Sequence, residues 1–194
     1  MSDKNEHKLI SLYPQMFMGT VWNKTPSRIQ KLYNRILLGL QLRYPYFRKF
    51  NHKNGTNPFH FGFECGDGWV DILSELILKI KELDSNTGVV TEVIQIKEKF
   101  GGLRFYPMHG GSTEIWKLIS EYEQKSYEVC EITGSTIDVG LWTYGWMITM
   151  SKKYAEEYYQ IRVSEGRLPV GVKFEDCWRT AEVFETIVLN KKMK

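Results

Sequence analysis

The sequence predicts an α+β fold, a small antiparallel β-sheet or hairpin packed with several amphipathic helices in a single domain. Three observations predict it. Apolar residues at Trp69, Ile72, Leu73, Leu76, Ile77, Ile80 and Leu83 recur at helical spacing and form one stripe. Directly after them, Val89 to Ile96 is rich in β-formers, and Leu103 to Tyr106 alternates across a Phe100-Gly101-Gly102 turn signal. The chain of 194 residues is 42% hydrophobic and 25% charged, which are globular values and enough for a real core.

In order, residues 1–8 are polar and expected to be disordered, so the domain is placed at residues 9–190. Thr25-Pro26 is a helix start, with Ile29, Leu32, Tyr33, Ile36, Leu37 and Leu40 facing inward and Tyr44-Pro45 ending the helix. Lys49 to Phe61 reads as a polar loop. Asp67 is expected to cap the central helix, and Asp84 to Gly88 to stop it. Ser112 or Thr113 caps the next helix, whose inner face is Ile115, Leu118, Ile119 and Tyr122. Tyr127 to Ile132 suggests a short strand. Thr133 to Gly145 reads as irregular or as a second hairpin, Met147 to Arg162 as a helix, and Arg167 to Val172 as a loop. Phe174, Cys177, Trp178, Ala181, Phe184 and Val188 mark a last amphipathic helix.

The net charge of +3 is no nucleic-acid signature. Its distribution is uneven: residues 1–55 carry ten Lys/Arg and two Asp/Glu, a balance of +8, leaving 3 − 8 = −5 for the rest. A basic N-terminal third suits an anionic partner, and equally a solvated surface. Three widely spaced cysteines make no disulfide framework, and no run is long or apolar enough to span a bilayer. The polar start is no signal peptide, so the expected location is cytoplasmic, with no membrane partner.

The chemistry centres on the hairpin. Lys97, Lys99 and Arg104 cluster around a glycine turn whose peptide N–H groups can hold an anion. Arg104 and Tyr106 share the face opposite Leu103 and Phe105. Trp69 and Tyr106 are the candidate aromatic walls, and Glu64 a polar contact. A hairpin with a solvated charged rim explains the same residues without a ligand. Cys65 lies just before a helix N-terminus, where a thiolate is favoured, so a hydrolase using Cys65 or Glu64 is an alternative. No nucleophile elbow, phosphate loop or His-Glu-x-x-His is present, so no catalytic residue and no cofactor are assigned.

Gly62, Glu64 to Trp69, Gln95 and Lys97 to Tyr106 together spell Gly-x-Glu-Cys-Gly-Asp-Gly-Trp and Gln-x-Lys-Glu-Lys-Phe-Gly-Gly-Leu-Arg-Phe-Tyr. This pattern resembles a family of uncharacterised bacterial and phage proteins, and the likeness extends more weakly to about Ala155. Relatives carry a four-ligand zinc knuckle after the hairpin. The resemblance places its positions at Cys130, Thr133, Ser151 and Tyr154, beside Gly145-Trp146. Only one soft ligand remains, and structural zinc wants four, so a zinc-free protein is expected. Cations beside aromatics suit a phosphate plus a base, so a non-enzymatic binder of a small anionic, nucleotide-like ligand is expected. The resemblance supports fold and kinship, and its phage members add the expectation that the ligand is a host immune signal sequestered in the host cytoplasm. Lys97, Lys99 and Arg104 would meet the anion, with Tyr106, Trp69 and Glu64 around the rest. The alternative is a protein-binding or nucleic-acid-binding adaptor using the basic N-terminal third. A host protein partner and a homo-oligomer are both compatible with the sequence.

Overall fold

The structure, a computed structural model, describes residues 1–18, 59, 62–108 and 112–180. The helix expected from Pro26, nearly all of the polar loop before Phe61, and the end of the last helix lie outside the described residues. The fold is α+β, with two three-stranded sheets ordered β1-β2-β3 and β5-β4-β6. Its contacts divide the chain into two units interleaved in sequence. One comprises residues 1–64, 73–97 and 105–119, and the other residues 65–72, 98–104 and 120–194.

In the first unit the chain begins with α1 (Asp3–Leu12) and α2 (Pro14–Met18). The expected disorder of residues 1–8 is therefore corrected. Asp3 and Glu6 sit in the first turn, where carboxylates favour the helix dipole, and Leu9 and Ile10 anchor the helix by burial. Phe17, Phe59 and Phe63 meet edge-on or tilted at 5.0–5.6 Å between centroids, which is a favourable aromatic geometry. The central helix, α3 (Val70–Thr87), buries Leu73, Leu76, Ile77 and Ile80 completely, as the stripe requires. Truncating one such Leu or Ile to Ala costs about 2–5 kcal/mol.

The helix ends within the expected Asp84–Gly88 stop: it runs to Thr87 and ends where Gly88 takes φ +70°, with the Gly88 N–H donating to the Asp84 carbonyl. The Asp84 side chain, instead of turning the chain, is buried and pins three groups. It accepts from Tyr13 Oη (2.9 Å), Thr91 N (2.7 Å) and Thr91 Oγ1 (2.7 Å). Burial and the bond to Asp84 push the Tyr13 hydroxyl well above its ordinary pKa. The sheet holds β1 (Phe63–Glu64), β2 (Val93–Lys99) and β3 (Gly102–Pro107). The expected sheet is antiparallel throughout, but β1 runs parallel to β2, pairing Phe63 with Ile96 and Glu64 with Lys97. The long α3 crossover between them supplies the connection that parallel strands need.

The second unit contains the turn between β2 and β3. Phe100 (φ 57°) and Gly101 (φ 78°) both adopt left-handed angles, as a type I′ hairpin requires. A Cβ at Gly101 would lie 2.2 Å from Leu141 Cδ1. Gly101→Val is expected to destabilise the protein by about 2–3 kcal/mol, combining backbone strain and overpacking. An unperturbed urea unfolding curve for that variant would contradict this.

Asp67 lies inside a 3₁₀ turn (Asp67–Trp69) that leads into α3, and the turn's cap position, Gly66, makes no side-chain cap bond. The two flanking glycines are needed for close approach. A Cβ at Gly66 would fall 2.2 Å from the Glu131 carbonyl oxygen, and one at Gly68 2.2 Å from that of Cys130. The Gly68 N–H donates to the Glu131 carbonyl at 2.8 Å, and the Trp69 indole N–H to the Val129 carbonyl at 2.9 Å.

Downstream, α4 (Thr113–Lys125) opens with Ser112 Oγ accepting from Ile115 N, as its capping signal predicts. The strand expected over Tyr127–Ile132 is replaced by a 3₁₀ turn (Ser126–Glu128) and further turns. Thr133 to Gly145 contains the first arm of a second hairpin, β4 (Val139–Trp142), which pairs antiparallel with β5 (Ile148–Ser151). The helix expected from Met147 therefore starts later, as α5 (Lys152–Ser164). Antiparallel pairing with β4 holds Ile148 to Ser151 in the sheet, and Ser151 Oγ caps the helix by accepting from Tyr154 N. The last helix is likewise shorter. A single turn, α6 (Phe174–Cys177), leads into β6 (Trp178–Thr180), which pairs with β4. Trp142, Met150, Ala155, Leu168, Cys177 and Trp178 form the core between the second sheet and α5.

Candidate functional site

The β2–β3 hairpin carries most of the residues that the sequence singles out. In the first unit, Lys97 Nζ lies 5.4 Å from the centroid of the Tyr106 ring, a cation–π distance. Both side chains are half-buried. Glu64, beside Lys97 in the strand register, accepts instead from the Gln95 side-chain amide. In the second unit, Lys99 Nζ stands 5.4 Å over the Phe100 ring. Arg104 is half-buried and donates from Nη1 to the Leu103 carbonyl (2.6 Å) and from Nη2 to Tyr127 Oη (3.1 Å). Both acceptors are uncharged. Among the described residues none of Lys97, Lys99 and Arg104 has a carboxylate partner.

Trp69 is a correction to the expected site. It is 0% exposed, and its indole nitrogen is committed to the Val129 carbonyl, so it offers no wall to a ligand. The amphipathic stripe that begins at Trp69 explains this, because the residue closes the 3₁₀ turn leading into α3 and is the first core contact of that stripe. Cys65 is also buried, at 7% exposed, which removes it from ready attack on a substrate.

The sequence reading missed two glutamates of the second unit. Glu98 uses both oxygens: Oε1 accepts from Gly101 N (2.6 Å) and Oε2 from Trp146 Nε1 (2.6 Å). Glu131 is 6% exposed, and its Oε1 accepts from Gly66 N at 2.8 Å. Burial pushes its carboxyl up from 4.5 to about 7, and the nearby Glu98 charge adds to this against the opposing Gly66 N–H. An acid inside the run Val129-Cys130-Glu131-Ile132 was the available signal. Together these bonds tie the hairpin tip and the Gly66–Gly68 turn to the Glu131 loop, and leave the Trp146 ring 73% exposed.

The four knuckle positions converge. Cys130 Sγ accepts from Thr133 N at 3.4 Å, and Ser151 Oγ from Tyr154 N at 3.4 Å. Thr133, Ser151 and Tyr154 line one cavity of about 440 Å³. Burial alone would raise the Cys130 thiol pKa. Hydrogen bonds from the Thr133 side chain and from the backbone of Ser151, Thr133 and Ile132 outweigh it and hold the thiol below its ordinary value. Among the described residues no group of three or more His, Cys, Asp or Glu is placed to hold a metal ion.

Comparison with family models, with curated proteins and with solved structures finds no match to this chain. Among the described residues no helix is long and apolar enough to cross a membrane.

Proposed function

We propose that the protein is a non-enzymatic binder of a small anionic, base-containing ligand, held through the β2–β3 hairpin. The observation that supports this most is the uncompensated charge there. Lys97, Lys99 and Arg104 have no carboxylate partner among the described residues, and the half-buried Arg104 bonds only to neutral oxygens. A half-buried guanidinium with spare donors favours a phosphate, which it meets with two parallel bonds. Tyr106, already beneath the Lys97 ammonium, offers a ring face to a base. Glu64, bonded to Gln95, marks the polar border of that face. In this reading no side chain acts as nucleophile or general base. Sequestration of a host nucleotide signal by a phage protein extends the proposal and rests on the sequence resemblance alone.

Arg104→Ala tests it. Loss of a charge-assisted phosphate pair costs about 2–3 kcal/mol, or roughly a hundredfold in affinity. Titration calorimetry with a panel of cyclic and linear nucleotides is expected to show that loss. Lost bonds to Leu103 O and Tyr127 Oη should lower stability by about 1–2 kcal/mol, leaving a folded protein. Unchanged nucleotide affinity in a folded Arg104→Ala protein would move the ligand away from this hairpin.

A further inference from the structure

The first unit contains a second feature of ligand-site size, whose chemistry is opposite to that of the hairpin. A cavity of about 430 Å³ opens between the C-terminal end of α3, the start of β2, the end of β3 and the first turn of α4. Its size falls within the range of small-molecule sites. Leu83, Val89, Val90, Pro107 and Ile115 give it apolar walls. Val89 is 67% exposed at its rim, so a large apolar side chain is left facing water there.

The charge inside the cavity is one-sided. Asp84, Glu92 and Glu114 line it, and among the described residues no Lys, Arg or His does. Asp84 is the informative member, because it is 6% exposed and yet its three donors, Tyr13 Oη, Thr91 N and Thr91 Oγ1, are all neutral. Lys81, three residues earlier on α3, directs its ammonium to the Leu12 carbonyl at 3.0 Å. That ammonium also stands 5.9 Å from the Tyr13 ring centroid, so Asp84 has a cation nearby but, among the described residues, no direct cationic partner, and low-dielectric walls strengthen the field of such a carboxylate. The last turn of α3 has no basic residue, so the negative end of its dipole points the same way. Glu114 is committed to the start of α4, where its own N–H and Ser112 hold its carboxyl below the ordinary value.

From this combination we infer that the cavity is a binding site for a small organic cation, an amine carried on an apolar body. The apolar walls take the body, and the acidic end takes the ammonium. A free metal ion would leave those walls wet, and an anion would face like charge. The site is separate from the proposed nucleotide reading and does not depend on it.

The test is calorimetric titration of the full chain with 2-phenylethylammonium, 2-phenylethanol and 3-phenylpropanoate, which share a body and differ in charge. The amine is expected to bind saturably, at least tenfold more tightly than the alcohol, and the carboxylate not at all. Val89→Arg places a guanidinium at an exposed rim position, so it should keep the melting temperature and weaken the amine at least tenfold. Val90→Phe should fill the cavity and weaken amine and alcohol alike. No saturable binding of the amine, equal affinity for amine and alcohol, or amine affinity unchanged in a folded Val89→Arg protein would each overturn the assignment.

Discussion

Gly68→Ala should be among the most destabilising single substitutions in the described structure. The added methyl would sit 2.2 Å from the Cys130 carbonyl oxygen, 2.5 Å from Gly134 N and 2.7 Å from the Glu131 carbonyl carbon. All three are backbone atoms of a turn fixed by its own bonds, including Gly134 N–H to Cys130 O and Cys130 N–H to Ser135 O. No rotamer change relieves the clash. The turn must move, and the bond from Gly68 N–H to Glu131 O is lost with it. Overpacking plus a buried unmade bond costs about 3–4 kcal/mol, which lowers Tm by roughly 6–16 °C in a chain of this size. Gly88→Ala is the control. Nothing lies within 4 Å of its added methyl, so only the φ of +70° opposes it, at about 1–2 kcal/mol. Equal melting of the two variants would show that the glycine turn is not packed as described.

The second large effect is on pH dependence, and it belongs to Glu131. Its carboxyl is raised from 4.5 to about 7 in the folded protein, chiefly by burial and further by Glu98. The folded state therefore holds this proton more tightly than the unfolded chain does. The stability it contributes is fully present below about pH 4.5 and is lost as pH rises through about 7. The shift corresponds to about 3 kcal/mol between the two ends of that window. Urea unfolding at a series of pH values is expected to give wild-type protein that weakens from pH 5 to pH 8 by an amount of this order, relative to Glu131→Gln. The glutamine keeps an acceptor for Gly66 N–H without a titrating proton. Parallel pH profiles for the two proteins would remove Glu131 from this role.

The parts legible in the sequence were those set by local rules. The α3 stripe from Trp69 to Ile80 has a single period and one buried face, so periodicity places it. The Phe100-Gly101 turn is read from chemistry that few other residue pairs can satisfy, although Phe at a left-handed position is unusual. The misread elements were decided by tertiary pairing. Ile148 to Ser151 and Trp178 to Thr180 continue into or out of helical patterns, and only β4, lying between them, makes them strands. The buried roles of Asp84 and Glu131 escaped the sequence for the same reason. A carboxylate in a turn or in a short apolar run gives no sign of whether neutral donors 65 or 71 residues away will meet it in the interior, as Gly66 does for Glu131 and Tyr13 does for Asp84. At the candidate site, strand alternation correctly set Arg104 and Tyr106 apart from buried Leu103 and Phe105. It could not show that Trp69 is spent in the core.

The central claim is that the protein holds a nucleotide-like ligand without altering it. The most direct measurement is to incubate the purified protein with a panel of cyclic and linear nucleotides and remove the unbound material. The protein is then denatured by heat, and the mass of what is released is determined. The account predicts one retained nucleotide released at its original mass, with retention lost in Arg104→Ala. Release of a hydrolysed or transferred product would make the protein an enzyme. Retention of no nucleotide at all would contradict the binding claim itself.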